Sequence, residues 1–210
     1  MNDRVNGTAE REVGVGPHPL PWPDDPRLDP DLLEHGDRRN VVDRYRYWRR
    51  EAIVADLDRH RHVLHVAIEN LEHDANIGSI VRTANAFAVE AFHIVGRRRW
   101  NRRGAMVTDR YQHEIHHPDA AHLRDWAHAE QRSIVAVDLV PGALPLESTP
   151  LPERSVLVFG QEGPGLSQEL LEMADLTVAI TQYGSTRSLN VAAAAAIAMH
   201  TWVGQHSPRQ

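Results

Sequence analysis

From residue 62 onward, short apolar segments alternate with segments of helical period, and this alternation constrains the fold more than any other feature. The apolar segments predict strands over 62–68, 91–96, 133–139, 155–160 and 176–180. The other segments predict helices over 76–89, near 119–131, from Ser167, and over the alanine-rich stretch after Leu189. Strands separated by helices predict an α/β fold, a parallel sheet with helices on both faces. Ligands of such sheets bind beyond the carboxyl ends of the strands, so functional residues are expected in the loops there.

Composition narrows the class of protein. The chain has 210 residues and no cysteine, which excludes disulfides, thiolate metal sites and a cysteine nucleophile. No apolar run reaches the ~18 residues that a membrane-spanning helix needs. The first residues lack the apolar stretch of a secretory signal, so a cytoplasmic location is expected.

The first 60 residues differ from the rest. Residues 1–30 are rich in Pro, Gly and Asp and predict a flexible arm. Residues 31–60 show a helical pattern and predict a helical extension of one or two helices. The alternating pattern then fills residues 61–205, which we expect to form the main domain.

Two arginine clusters stand out in a chain of formal net charge −6. Residues 38–50 hold six arginines interleaved with Tyr45, Tyr47 and Trp48, and residues 96–104 hold five with one tryptophan. Arginine beside aromatic rings suits phosphate contacts and base stacking. A solvated helix face and a charged loop are the alternative. The candidate RNA-binding residues are Arg44, Arg46, Arg49, Arg50, Arg97, Arg98, Arg99, Arg102 and Arg103.

The first candidate functional loop leads into the helix at 76–89. Its apolar positions form one core stripe, and Arg82 points away from that stripe among small or polar neighbours. Asp74 or Asn76 is the expected helix cap. Arg82 is therefore either a solvated arginine or a group that meets a phosphate or a partner subunit.

The second loop follows the strand at 155–160 and reads GQEGPGLS. Its glycines allow backbone N–H groups to approach a ligand closely, and Ser167 is the expected cap of the next helix. Glu162 disfavours a phosphate there, whereas a cationic ligand rich in hydroxyls, such as S-adenosylmethionine, fits. In the third loop, Ser188 and Asn190 precede the alanine-rich helix, where they either cap that helix or face a ligand.

Together the three loops resemble the three motifs of the SPOUT class of knotted RNA methyltransferases, in its SpoU-type ribose 2′-O branch. The matching residues are Asn76 with Arg82-Thr83, the run from Phe159 to Ser167, and the run from Ser188 to Val191. Where family members often continue with serine, this chain has Ala192. The resemblance spans roughly residues 62–203.

The resemblance implies a Rossmann-like parallel sheet with a C-terminal deep trefoil knot, and a homodimer with its active site at the subunit interface. It implies S-adenosylmethionine as the cofactor, no metal, and methylation of a ribose 2′-hydroxyl of tRNA or rRNA. The implied cofactor-binding residues are Val137, Phe159, Gly160, Gly165, Ile180 and Leu189.

Five residues are implied to be catalytic: Arg82, Asn76, Glu162, Ser188 and Asn190. In the family the arginine is the proposed activator of the hydroxyl. Arginine is a poor base, however, so Arg82 is alternatively a group that holds phosphate and stabilises the developing alkoxide. Asn76 and Glu162 would orient Arg82 or the ribose, and Ser188 and Asn190 would complete the pocket.

The sequence has three alternative interpretations besides a ribose methyltransferase. The main one is a catalytically silent SPOUT-fold RNA-binding protein, and the presence of Arg82, Glu162 and Asn190 argues against it. A nucleotide-binding oxidoreductase would need a GxGxxG turn after the first strand, which is absent. The HEIHH run at 113–117 matches a zinc-protease signature, but it alternates like a strand and Pro118 follows, so chance explains it.

Overall fold

A computed structural model describes residues 14–96, 100–101 and 108–207. The chain forms two compact units, Met1–Ile53 and Val54–Gln210. Within the described residues, no helix is both long enough and apolar enough to span a bilayer.

The first unit contains helix α1 (Pro30–His35), a 3₁₀-helix (Asp43–Tyr45) and the first turn of helix α2 (Arg50–Leu57). Residues 1–13 of the predicted arm lie outside the described residues, whereas Val15 exchanges backbone hydrogen bonds of 2.9 Å with Asp37. The Asp37 carboxylate is fully buried and accepts hydrogen bonds from the Arg39 guanidinium at 2.9 and 2.7 Å. Burial opposes its ionisation, but these bonds and one from the Tyr47 N–H hold the pKa of Asp37 below its usual value.

The second unit is built on a seven-stranded sheet in the order β3-β2-β1-β6-β4-β7-β5, and every pair of neighbours is parallel. The strands are β1 (His62–Glu69), β2 (Val89–Val95), β3 (His113–His117), β4 (Ser133–Val137), β5 (Leu144–Pro145), β6 (Ser155–Phe159) and β7 (Leu176–Ala179). This confirms the predicted parallel α/β fold. The two-residue β5 was not predicted.

Helices cover both faces of the sheet, as the alternation predicts. They are α3 (Asp74–Ala86), α4 (Ala120–Ala129), α5 (Gln168–Met173) and α6 (Val191–His206). Helices α3 and α6 pack on one face, where Ile80 and Trp202 join the core around Val66. Helices α4 and α5 pack on the other, where Leu123 and Leu170 are completely buried. Each fully buried Leu or Ile side chain contributes about 1.5–3 kcal/mol to stability, so the packing of helices on both faces stabilises the sheet.

Three histidines form a hydrogen-bonded row across β1, β2 and β3. His65 Nδ1 lies 2.7 Å from His93 Nε2, and His93 Nδ1 lies 2.8 Å from His117 Nε2, with Trp126 of α4 against all three rings. His65 Nε2 lies 3.1 Å from Glu90, a close ion-pair distance without good hydrogen-bond alignment. Burial lowers the pKa of His65 to about 4 and that of His93 to about 2, so both rings are neutral near pH 7.

Candidate active site

A cavity of about 310 Å³ opens at the carboxyl ends of β4, β6 and β7. Its walls include all the predicted cofactor-binding residues: Val137, Phe159, Gly160, Gly165, Ile180 and Leu189. Three predicted catalytic residues, Glu162, Ser188 and Asn190, line the same cavity. The loops after three parallel strands therefore converge where ligands of such sheets bind.

The glycine-rich loop after β6 closes on itself. Gln161 and Gly165 exchange two backbone hydrogen bonds of 3.0 Å, which folds the loop into a tight hairpin. A Cβ on Gly160 would overlap the backbone of Gly165 and Leu166, and Gly165 has a φ of +75°. Both positions therefore require glycine, one for close approach and one for backbone conformation.

Two acidic residues anchor this loop, and neither was predicted from the sequence. Asp138 Oδ2 accepts a 2.8 Å hydrogen bond from the N–H of Leu166. Glu69, buried at the end of β1, accepts from the Ser167 N–H at 2.7 Å and from its hydroxyl at 2.5 Å. Ser167 also caps α5 by accepting from the Leu170 N–H, as predicted. The only sequence signal for Glu69 and Asp138 was an acidic residue at the end of a buried strand.

Asn76, Glu162 and Asn190 meet at the rim of the cavity. The Asn76 amide donates a short hydrogen bond to Glu162 Oε1. Asn190 Nδ2 donates to Asn76 Oδ1 at 3.1 Å and lies 3.5 Å from Glu162 Oε1. One carboxylate oxygen thus contacts two amides that lie 114 positions apart along the chain.

The caps of α3 and α6 differ from each other. Asn190 Oδ1 accepts from the N–H groups of Ala192 and Ala193 at 3.0 and 3.3 Å, so it caps α6 while its amide nitrogen faces the cavity. The expectation that Asp74 or Asn76 caps α3 is wrong, because the N-cap residue is His73 and it makes no side-chain cap bond. Asn76 lies inside the helix, where Glu162 engages its amide.

Arg82 is exposed on α3, opposite the buried stripe of Ile77, Ile80, Val81 and Ala84 that was predicted for this helix. It is not among the residues that line the cavity of its own chain. Of the five predicted catalytic residues, four therefore gather at the cavity or its rim, whereas Arg82 is not among the residues that line it.

The cavity fits S-adenosylmethionine in its chemistry. The cavity wall combines the apolar side chains of Val137, Phe159 and Ile180 with the backbone of the glycine-rich loop. Apolar side chains suit a purine ring, and polar backbone groups suit the hydroxyls of a ribose. The side-chain oxygen of Gln182 is buried in the wall, and no donor within the described residues reaches it, so it is available to a ligand amino or hydroxyl group. The charged residues of the lining are Asp138 and Glu162, which favour a cationic sulfonium.

The predicted RNA-binding arginines have different environments. Arg44, Arg49 and Arg50 are exposed, and the Arg44 guanidinium stacks 4.6 Å from the Tyr45 ring. Arg46 is half-buried, and its Nη1 donates to the Arg39 carbonyl at 2.7 Å, much as Arg49 Nε donates to the Leu28 carbonyl at 2.8 Å. The remaining candidates lie outside the described residues: Arg97, Arg98, Arg99, Arg102 and Arg103.

The HEIHH run is strand β3, as its alternation predicts. His113 and His117 are therefore residues of an extended strand rather than of the helix that a zinc-protease signature requires. His117 is buried in the histidine row, and His113 pairs with Asp58 at 2.8 Å. Across the described ranges, no cluster of three or more potential ligands is placed to hold a metal ion.

Comparison with known proteins supports this site. Residues 63–200 match the model of the SpoU rRNA Methylase family. A tRNA (guanosine(18)-2′-O)-methyltransferase of Borreliella burgdorferi is 29% identical over 137 residues, which cover 64% of this chain and 63% of that protein. The 23S rRNA (guanosine(2553)-2′-O)-methyltransferase RlmP of Bacillus subtilis is 30% identical, over 63% of this chain and 55% of that protein. The chain thus matches less than two thirds of the length of either relative.

Solved structures share the fold. The A. aeolicus TrmH/SpoU tRNA modifying enzyme superposes with a TM-score of 0.67 at 24% identity, covering 74% of this chain and 81% of that one. The SpoU methyltransferase AviRb from Streptomyces viridochromogenes, solved in complex with the cofactor AdoMet, gives 0.65 at 25% identity over 73% and 62% of the two chains. The family match extends over more than half of the chain and includes all three motif loops. This chain therefore belongs to the SpoU rRNA Methylase family.

Proposed function

We propose that the protein transfers a methyl group from S-adenosylmethionine to a ribose 2′-hydroxyl of tRNA or rRNA. The observation that carries the proposal is the cavity, where the predicted cofactor-binding residues meet the Asn76–Glu162–Asn190 cluster. The 2′-O-methyltransferases among its relatives, which act on tRNA and on rRNA, support the same reaction. A protein that acts on these RNAs is expected in the cytoplasm.

In this mechanism, S-adenosylmethionine supplies an electrophilic methyl group, and the protein positions the ribose and assists loss of the hydroxyl proton. Asn76 and Asn190 hold the Glu162 carboxylate in one orientation at the rim, through their hydrogen bonds to its Oε1. Asp138 and Glu69 keep the glycine-rich loop closed, so its backbone groups are preorganised for the cofactor. Ser188 and Leu189 complete the wall from the other side.

We infer that Arg82 acts on the cavity of a second copy of the chain in a homodimer. It is exposed, it lies beside the small residues Gly78, Ser79 and Ala86, and it is not part of its own chain's cavity lining. Its fixed positive charge suits binding of the substrate phosphate and stabilisation of the developing alkoxide. The family also leads us to propose that the loops around β7 and α6 form a trefoil knot.

We propose that residues 61–205 form the methyltransferase domain. RNA contact is proposed for the exposed arginines of residues 31–60 and for the arginines at 97–103. The support is the exposure of Arg44, Arg49 and Arg50. Binding through such arginines is expected to weaken as salt rises, because it releases counterions from the RNA.

The test is transfer of labelled methyl from S-adenosylmethionine to unmethylated tRNA and rRNA pools, with wild type beside Arg82→Ala. Wild type is expected to label one pool at an alkali-resistant linkage. Arg82→Ala is expected to lower the rate about 10²- to 10³-fold, because one preorganised charge at the reacting oxygen is lost.

Arg124→Ala is the matched control, since Arg124 is exposed on α4 and pairs with its neighbour Asp125. It is expected to retain the wild-type rate. Cofactor binding without labelling of free RNA would point to a ribonucleoprotein substrate. Absence of both binding and labelling would overturn the proposal in favour of a silent RNA-binding protein.

A further inference from the structure

Gln182 contributes a polar side chain to the wall of the cofactor cavity. Its Oε1 atom is buried, and no donor from the described residues forms a hydrogen bond with it. A buried acceptor without a partner costs free energy, so native proteins supply a donor from the protein, from water or from a ligand. Because this oxygen belongs to the wall of a ligand cavity, we expect the ligand to carry the matching donor.

The residue before Gln182 is held on the opposite side of the segment. The N–H and the hydroxyl of Thr181 donate to the two carboxylate oxygens of Glu147, at 2.8 and 3.1 Å. Glu147 follows β5, the edge strand that pairs with β7. Ile180 and Gln182 line the cavity whereas Thr181 does not, which is the alternation of an extended chain. The Thr181–Glu147 contact therefore fixes the segment in a form that presents Gln182 to the ligand.

The surroundings of Gln182 suit the adenine of S-adenosylmethionine. Ile180, on the same side of the segment, belongs with Val137 and Phe159 to the apolar part of the wall, which suits a purine ring. The edge of adenine carries an amino donor beside a ring nitrogen, and a glutamine amide matches that pair of groups. The ribose hydroxyls are instead suited to the polar backbone of the glycine-rich loop.

We propose that Gln182 determines the specificity for the cofactor by accepting a hydrogen bond from the 6-amino group of its adenine. The assignment rests on the proposed function, since it takes S-adenosylmethionine as the methyl donor. A purine without the amino group would leave the buried oxygen without a donor. Binding of such a purine then carries the full penalty of an unsatisfied acceptor, and this penalty makes the site select adenine.

The test compares two ligands by calorimetry: S-adenosylhomocysteine, and its analogue with an unsubstituted purine that lacks the 6-amino group. Wild type is expected to prefer the adenine compound by about 10- to 100-fold. Gln182→Met keeps the length of the side chain but lacks the amide oxygen, and is expected to bind both compounds equally. Gln182→Glu keeps an acceptor oxygen at the same place and is expected to retain the preference.

Gln168→Met is the matched control. Gln168 is exposed on α5, where its amide donates to Glu172 at 2.9 Å. The same substitution there is expected to leave both affinities at their wild-type values. Equal binding of the two compounds by wild type would overturn the assignment.

A third compound, with 2′-deoxyribose in place of ribose, separates the two halves of the nucleoside. Gln182→Met is expected to discriminate against it as strongly as wild type does. Loss of that discrimination in Gln182→Met would show that the amide contacts the ribose, which also overturns the assignment.

These binding measurements do not depend on turnover. A wild type that prefers the adenine compound but methylates no RNA would remove the proposed function and leave the role of Gln182 intact. Methylation of RNA by a protein without this preference would have the reverse meaning. A wild type that does not bind S-adenosylhomocysteine would remove both.

Discussion

At the scale of single residues, Asn190 serves two purposes with the two ends of one amide. Its oxygen caps α6, and its nitrogen joins Asn76 and Glu162 at the cavity rim. A serine or aspartate could cap the helix equally well, but neither offers an N–H group to the cluster. The choice of asparagine is therefore explained by the site rather than by the helix.

This division predicts that the two purposes can be separated. Asn190→Asp keeps a capping oxygen but loses the donor and places a negative charge beside Glu162, so the unfolding free energy should change little while methyl transfer falls at least tenfold. Asn190→Ala loses both, and should also destabilise the protein by about 1 kcal/mol. Urea unfolding and methyl transfer, measured on both variants, check this. Equal destabilisation by both substitutions would contradict it.

At the scale of elements, three sets of hydrogen bonds fix the conformation of the glycine-rich loop after β6. It closes through the Gln161–Gly165 pair and is tied to Asp138 and Glu69 at the ends of neighbouring strands. Its shape is therefore formed before any ligand arrives, which lowers the entropic cost of binding.

Gly160→Ala tests the rigidity of this loop. The added methyl would meet the backbone of Gly165 and Leu166, which cannot move without opening the hairpin. We expect S-adenosylmethionine affinity, measured by calorimetry, to fall at least tenfold. Gly204→Ala on α6 is the control, since a Cβ there meets nothing and alanine favours a helix by about 0.5–1 kcal/mol. Wild-type affinity in Gly160→Ala would mean that the hairpin is not needed for binding.

The elements also show what sequence reasoning reaches. Apart from the two-residue β5, the strands and helices of the second unit were predictable, because each is encoded by a local apolar period and by caps such as Ser167. The anchors Glu69 and Asp138 were not, because their partners lie 98 and 28 residues away along the chain. The role of the Asn76 amide was also not predictable, because its partner Glu162 lies 86 residues away along the chain. The three motif loops could be identified from their sequence patterns. The hydrogen bonds between them could not, because the order of the strands in the sheet decides which loops meet.

At the scale of the whole molecule, the histidine row makes stability depend on pH. His65, His93 and His117 come from three separate strands, and burial lowers the pKa of each. Near pH 6.5 and below, these histidines are protonated in the unfolded chain but stay neutral in the folded protein. The unfolding free energy must therefore fall with falling pH. The loss begins near the ordinary histidine pKa, and the contribution of His65 continues down to about pH 4, the pKa of this ring in the folded protein.

Urea unfolding from about pH 7.5 to about pH 5.5 should show this loss, with each buried neutral histidine contributing at most about 1.4 kcal/mol per pH unit. His93→Gln should lower the number of protons taken up on unfolding by about one. His128→Gln, at an exposed position, should leave that number unchanged. If wild type takes up less than one proton on unfolding near pH 5.5, as judged from the slope of its unfolding free energy against pH, the row is already protonated in the folded protein.

The bond between Asn76 and Asn190 joins residues 114 positions apart, and the cavity wall at 188–191 follows the last strand of the sheet. A ribosome making this protein therefore completes all seven strands before it adds the residues that close the site. A nascent chain that ends before Ser188 contains the residues of all seven strands but lacks that wall. Under the proposed function, the part of the chain that closes the site is thus the last part of it to be synthesised.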